Sequence, residues 1–438
     1  MSYVSNYQSG TADDLNKGLG TLAQPLAPGE TQGLGWRLLA EEVSLPAAVL
    51  YESKIAHNLR WMQQFVEAYG LKLAPHGKTT MAPKLFQRQI AGGAWGITVA
   101  TAQQAQVAAR HGVQRVLMAN QLVGKRNIGI VAELLAQPGF EFYCLVDSVD
   151  GVAQLGRRLA ARAGGAARPI SVLLEIGPTA DQSGSRTGVR NEAQLAAVLG
   201  ALASWRAQVQ LAGIELYEGV LKEEAEIRTF LRRAVEITRR IAGDGGFARA
   251  QPILSGAGSA WYDVVAEEFA RADAGVPVEV VLRPGCYLTH DVGIYRAAQN
   301  QIQQRNPVAA KMRGGLQPAL QLWAYVQSVP DADKAVIALG KRDAAFDAGY
   351  PEPALHFRPA DASDADDARR PSAAPGHWKI TGMMDQHAYL AIQPGDDIRV
   401  GDMIAFDISH PCLTFDKWRH LLLLDDDYRC VDLVQTFF

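Results

Sequence analysis

Leu71-Lys72-Leu73-Ala74-Pro75-His76-Gly77-Lys78-Thr79-Thr80 decides the fold: a short apolar run ends at a proline, a lysine stands just beyond it, and a helix-like segment follows. Strand, loop and helix in that order form the repeating unit of a parallel sheet. From about residue 47 onward the unit recurs. Apolar runs at 71–75, 96–100, 115–119, 141–146, 170–176, 212–217, 252–255 and 278–282 make eight, each but the last followed by an amphipathic stretch. Eight is the closure number of a β/α barrel, and roughly 20 to 45 residues per unit is what a strand plus a helix needs. The count therefore predicts an α/β fold, a (β/α)8 barrel over residues 47–290, in preference to a doubly wound open sheet.

Beyond about residue 290 the rhythm stops. Short strand-like runs at 320–329, 334–339, 387–392 and 403–408, separated by Gly and Pro, predict a second, mainly β domain over 291–438. Residues 30–46 are expected to join it, which makes that domain discontinuous. Residues 358–376, rich in Asp, Ala and Pro, have little to bury and read as a mobile surface insertion.

The chain of 438 residues carries a formal charge of -3 with 20% charged and 48% hydrophobic residues. That balance argues against a general attraction to nucleic acid or anionic lipid. The N-terminus has no basic-then-apolar leader and no stretch approaches the ~20 apolar residues of a membrane span, so a cytoplasmic location is expected. Four scattered cysteines fit reduced thiols better than a disulfide framework.

In a β/α barrel the reacting groups sit on loops at the carboxyl ends of the strands. Lys78 occupies such a loop. A lysine amine with its unperturbed pKa of about 10.4 is almost fully protonated at neutral pH, so covalent work as a Schiff-base lysine requires a site that withdraws it from water. After the seventh strand comes Ser255-Gly256-Ala257-Gly258-Ser259, whose backbone amides can receive an anion; after the eighth comes Arg283-Pro284-Gly285-Cys286-Tyr287. Arg186, in Ser185-Arg186-Thr187-Gly188, offers a cation to the same mouth. Tyr217 stands on a loop that could line it. His57 and His111 fall in helical stretches and read as ordinary histidines. Far downstream, His410-Pro411-Cys412 places an imidazole and a thiol two residues apart; in an extended segment both point to one side, where they can share a borderline metal such as zinc. Met383 to His387 form a further polar cluster of lower specificity.

Taken together, PHGKTT, SRTG, LSGAGS, RPGCY and HPC resemble the D-serine dehydratase and D-threonine aldolase family, fold type III pyridoxal-phosphate enzymes related to alanine racemase. The match runs in motif order from about residue 45 to the C-terminus, and 1–44 and 358–376 have no counterpart. The resemblance implies that Lys78 forms the Schiff base, with His76 and Tyr217 also at the cofactor. It places Ser255, Gly256, Ala257, Gly258, Ser259 and Tyr287 at the cofactor phosphate and Arg186 beside the pyridine ring's phenolic oxygen. In the aldolase branch the metal pair looks like His-x-Asp and in the dehydratase branch like His-x-Cys, so Cys412 places this chain with the dehydratases and zinc. Two departures stand out: Thr80-Met81 replace the usual basic residue, and Gln386-His387-Ala388 replace Glu-His-Gly, which leaves His387 without a role.

The expectation is a pyridoxal-phosphate- and zinc-dependent dehydratase, a homodimer acting on a small D-3-hydroxy amino acid, D-serine above others, to give pyruvate and ammonia. A D-threonine-type aldolase and an amino-acid racemase use the same fold, and a non-catalytic pyridoxal-phosphate carrier is the reading from another class.

Overall fold

The computed structural model describes residues 12–13, 15–27, 30–161, 168–182, 186–359 and 369–438. After β1 (Ala47–Tyr51), which belongs to the second sheet, come eight strands: β2 (Lys72–Leu73), β3 (Ile97–Val99), β4 (Arg115–Gln121), β5 (Glu141–Val146), β6 (Ile170–Ile176), β7 (Val209–Leu216), β8 (Ile253–Gly256) and β9 (Glu279–Leu282). They form one parallel sheet in the order β2-β9-β8-β7-β6-β5-β4-β3. Its two ends meet. His76 and Thr98 form a parallel bridge, and the Thr98 amide donates to the Pro75 carbonyl at 2.8 Å. The ring thus closes two residues before Lys78.

Strands covered on both faces must be apolar almost throughout, which is why the eight runs were legible. Inside the ring, Ala74, Leu117, Tyr143, Leu145, Leu173, Ala212, Ile253 and Val281 pack as one cluster, so the interior is a core rather than a pore. Outside it, helices begin where a side chain can satisfy their orphan amides. Thr101, Ser148 and Asn191 each cap one by accepting from the amides of Gln104, Gly151 and Gln194. The first helix, Glu52–Ala68, turns Ile55, Trp61, Met62, Phe65 and Val66 inward at helical spacing.

The second sheet contains β10 (Leu320–Asp331), β11 (Lys334–Ile337), β12 (Glu352–Phe357), β13 (Ser372–Ala373), β14 (Lys379–Met383), β15 (Ala388–Ala391), β16 (Met403–Asp407), β17 (His420–Leu424) and β18 (Cys430–Gln435). Its main path runs β13-β12-β16-β10-β1-β17-β18, with β11, β15 and β14 branching from β10. β1 lies in the middle, antiparallel to β10 and parallel to β17. Among the described residues no helix is long and apolar enough to cross a membrane.

Two expectations need correction. The helical rhythm does not stop at 290: β9 is followed by helices Ile294–Arg305 and Pro307–Lys311. The first of these buries only Gln299 and Ile302 and is mostly polar, so it carries little hydrophobic period to read. Nor is 358–376 a free insertion at its described ends. Arg358 binds Asp402 and Asp397, and Ser372–Ala373 pair with β12 as β13. The stretch 360–368 lies outside the described residues.

Candidate active site

At the carboxyl ends of the barrel strands lies a cavity of about 530 Å³, bordered by Lys78, His76, Arg186, Tyr217, Ser259 and Arg283 from the barrel and by His410 and Cys412 from the second sheet. Both chemical motifs therefore reach one space. Lys78 stands on the short turn Gly77–Thr79, directly after the residue that closes the ring. Its amine opens into the cavity, and burial lowers its pKa from the ordinary lysine value. Burial also holds the His76 imidazole neutral, well below the usual histidine range.

The cavity floor is built on Arg283. Its guanidinium, in the barrel centre, pairs with the buried carboxylate of Glu215. It also donates to the Ser255 hydroxyl and the Leu216 carbonyl, both at 3.0 Å. Burial pushes the Glu215 carboxyl up, against the pull of that guanidinium. One oxygen of Glu215 and the Nδ1 of His76 are buried with no protein partner. Buried polar atoms are rarely left so, and on the border of a cavity they fit a polar ligand. Arg186 stacks over the Tyr217 ring with 5.5 Å to its centroid.

Around the anion-binding turn the structure departs from expectation. The amides of Ala257 and Gly258 donate to the carboxylate of Glu218, at 3.1 and 2.7 Å, and Glu218 is fully buried. The turn does receive an anion, but the chain's own. The Ser259 hydroxyl instead accepts from the Gly285 and Cys286 amides at 3.3 and 3.2 Å, and this group borders the cavity.

His410 and Cys412 come together, though not on an extended segment. Pro411 is helical and Cys412 opens the short helix Cys412–Phe415, so a turn brings the two side chains round. The His410 Nδ1 lies 2.8 Å from the Asp347 carboxylate, and the ring is also in hydrogen-bonding contact with the Cys412 sulfur. These contacts push His410 up to about 9. The Cys412 sulfur lies 3.6 Å from that of Cys286 and 3.4 Å from the Thr79 hydroxyl. Hydrogen bonding between the two sulfurs lowers the pKa of Cys412 and raises that of Cys286. Among the described residues no three His, Cys, Asp or Glu side chains are preassembled as a metal cage.

Of the residues singled out in the sequence, Lys78, His76, Arg186, Tyr217, Ala257, Gly258, Ser259, His410 and Cys412 border the cavity, and Ser255, Gly256 and Tyr287 do not. Ser255 is tied to Val281 and Arg283, Gly256 lies inside β8, and the buried Tyr287 hydroxyl accepts from Gln89 at 3.1 Å. Sequence reasoning missed Glu215, Glu218, Arg283 and Cys286 as individual residues, and Tyr295 altogether. Glu215 carried a usable signal, an acid inside an apolar strand near its carboxyl end.

A barrel with a lysine on the loop after its first strand, joined to a β domain that reaches the mouth, defines a class. Residues 51–286, more than half of the chain, match the family model "Alanine racemase, N-terminal domain", and the chain belongs to that family. Residues 319–424 match "Putative serine dehydratase domain". Both agree with the resemblance drawn from the motifs. The chain is 25% identical over 395 residues to D-threonine aldolase from Arthrobacter sp, covering 88% of this chain and 90% of that protein. It is 31% identical over 159 residues to D-threo-3-hydroxyaspartate dehydratase from Delftia sp. (strain HT23), 33% of this chain and 41% of that one. Among solved structures, D-threonine aldolase from Filomicrobium marinum superposes with a TM-score of 0.71 at 23% identity, over 94% of this chain and 98% of that one. A cysteine-to-alanine mutant of D-threo-3-hydroxyaspartate dehydratase, in the metal-free form, gives 0.69 at 22% identity, over 92% and 99%.

Proposed function

We propose that the chain is a pyridoxal-phosphate- and zinc-dependent lyase that dehydrates D-3-hydroxy amino acids, D-serine foremost, to a 2-oxo acid and ammonia. The observation that carries this reading is that Lys78 and the His410–Cys412 pair border one cavity. The residues present fit the cofactor: a lysine amine with a lowered pKa, a buried imidazole nitrogen without a partner, two arginines, and the Ser259 hydroxyl with its neighbouring amides. Pyridoxal phosphate, when bound, supplies an electron sink for the pair left when the α-proton departs.

Lys78 takes that proton, and burial, which lowers its pKa from the ordinary lysine value, favours the free amine that the task needs. Arg283, held by Glu215, Ser255 and Leu216, would meet the cofactor ring, and Ser259 with the Gly285 and Cys286 amides would hold its phosphate. His410 and Cys412 would hold zinc, which as a Lewis acid assists loss of the β-hydroxyl. Asp347 fixes the imidazole for that task, as carboxylates do for metal-binding histidines. A thiolate favours zinc over the harder ions that suit a carboxylate.

The aldolase reading has its own support in the similarity to D-threonine aldolase over 88% of the chain. Four free cysteines support a cytoplasmic setting. Exposed Leu413 and Phe438 at the cavity, with exposed Ile294 next to the cavity-lining Tyr295 and exposed Phe346 next to Asp347, support a homodimer covering that face. The test is a panel of D-serine, D-threonine and 3-hydroxy-D-aspartate, with chelator and with zinc restored. Release of 2-oxo acid and ammonia, abolished by chelation and recovered with zinc, is expected. Glycine plus an aldehyde would establish the aldolase instead, and turnover indifferent to chelation would remove the metal from the mechanism.

A further inference from the structure

We propose that Cys286 is a third protein ligand of the metal, so that His410, Cys412 and Cys286 form a tripod leaving the fourth position to substrate or water. The proposal rests on the metal-dependent reading above and adds to it a residue that the His-x-Cys motif does not contain.

The first argument is the number of donors. Catalytic zinc is ordinarily held by three protein ligands with a fourth position open, and the motif alone supplies only two. The second is spacing. Two thiolates on one tetrahedral zinc, each at about 2.3 Å, stand about 3.8 Å apart. The sulfurs of Cys286 and Cys412 are 3.6 Å apart. They are free thiols, and a disulfide would need about 2.05 Å.

The third argument is placement. Cys286 opens the turn Cys286–Leu288 after β9, and its amide is tied to Ser259. Its sulfur therefore comes from the barrel, while the His410 imidazole and the Cys412 sulfur come from the second domain. Apart from Cys412, its named polar contact is Thr79, at 4.0 Å. All three donors border the cavity that holds Lys78. An ion there would bind both sheets to each other and stand beside Thr79, the neighbour of the lysine.

Hydrogen bonds link the three donors to one another: His410 to Cys412, and Cys286 to Cys412. Zinc replaces the shared protons. A coordinating thiol loses its proton outright, so both sulfurs bind as thiolates and the protons pass to solvent. Asp347 holds Nδ1 of His410 and leaves Nε2 as the ligating atom.

The experiment uses the full chain stripped of metal and measures two things besides activity. Zinc affinity is taken by competition with a chromophoric chelator, and the zinc shell by X-ray absorption. Removing partners that merely orient ligands costs about 10–100-fold in affinity, so Cys286→Ser and Cys286→Ala should each lose about 100-fold or more. Wild type should show two sulfurs in the shell and each variant one. A one-sulfur shell in wild type, or wild-type affinity in both variants, overturns the proposal and leaves the two-ligand reading standing. Should wild type take up no zinc at all, the metal-dependent reading itself fails. Melting of the metal-free variants checks folding, and if neither folds, the wild-type sulfur count decides.

Discussion

Ser255→Ala separates two roles for one residue. The sequence offers Ser255 to the cofactor phosphate, whereas in the structure its hydroxyl is fully buried, donating to the Val281 carbonyl at 2.9 Å and accepting from the Arg283 Nε at 3.0 Å. Alanine fits the space but leaves a carbonyl and a guanidinium N–H unpaired. A neutral hydrogen bond contributes about 1 kcal/mol net and one to a charged group about 1.5–3, so the expected loss is about 2.5–4 kcal/mol. With about 2.1 cal/mol/K of unfolding entropy per residue over 438 residues, the midpoint falls by about 3–4 °C. Calorimetry on the cofactor-free protein reads this, and a separate absorbance titration reads affinity for pyridoxal phosphate. A cofactor-free protein as stable as wild type, combined with a sharp loss of cofactor affinity, would refute the structural role and restore the phosphate contact.

Gly285→Ala would place a Cβ 2.7 Å from the Thr79 hydroxyl and 2.8 Å from the His76 carbonyl, forcing the β9 loop away from the lysine turn. It should cost about 1–3 kcal/mol in urea unfolding and weaken cofactor binding. Lys78→Ala should abolish the lysine-linked cofactor absorbance and lower turnover by about 10⁴-fold, measured by 2-oxo acid release. Burial would raise the Asp402 carboxyl, but hydrogen bonds from His356 and Arg358 override it and hold it well below the usual range. A carboxyl depressed in the folded state stabilises above its unfolded pKa, and that stability is lost as pH falls toward the folded value. Asp402→Asn should therefore flatten the acid limb below pH ~4 by up to about 1.4 kcal/mol per pH unit, read by urea midpoints.

Local pattern carried much of this molecule. Barrel strands are covered on both faces, so each is an apolar run, and residues following them fall at the cavity: Lys78, Arg186 and Ser259. What pattern could not carry is direction and distance. Membership of LSGAGS does not reveal that Ser255 points to Arg283 while Ser259 faces the cavity. Glu218 occupies the amides of Ala257 and Gly258 from the loop after the neighbouring strand β7, 39 and 40 residues away in sequence. Glu215 and Arg283 are 68 residues apart, and Cys286 and Cys412 are 126 apart. Such pairs exist only once β7, β8 and β9 lie side by side and the second sheet has docked. The helix Ile294–Arg305 was hidden for another reason: its polar surface gives no period.

The position of β1 imposes an order on how the molecule is made. Its partners are β10 and β17, so residue 49 must wait for residues 321 and 422 to be synthesised before its edges are paired. Everything needed to close the ring lies between them. Because domains tend to fold as units during synthesis, the ring is able to form on the ribosome while the segment before it is still a lone strand with open edges. Emergence of the segment 403–424 then completes the site, since it brings the imidazole and sulfur at 410 and 412 together with the strand that pairs with β1.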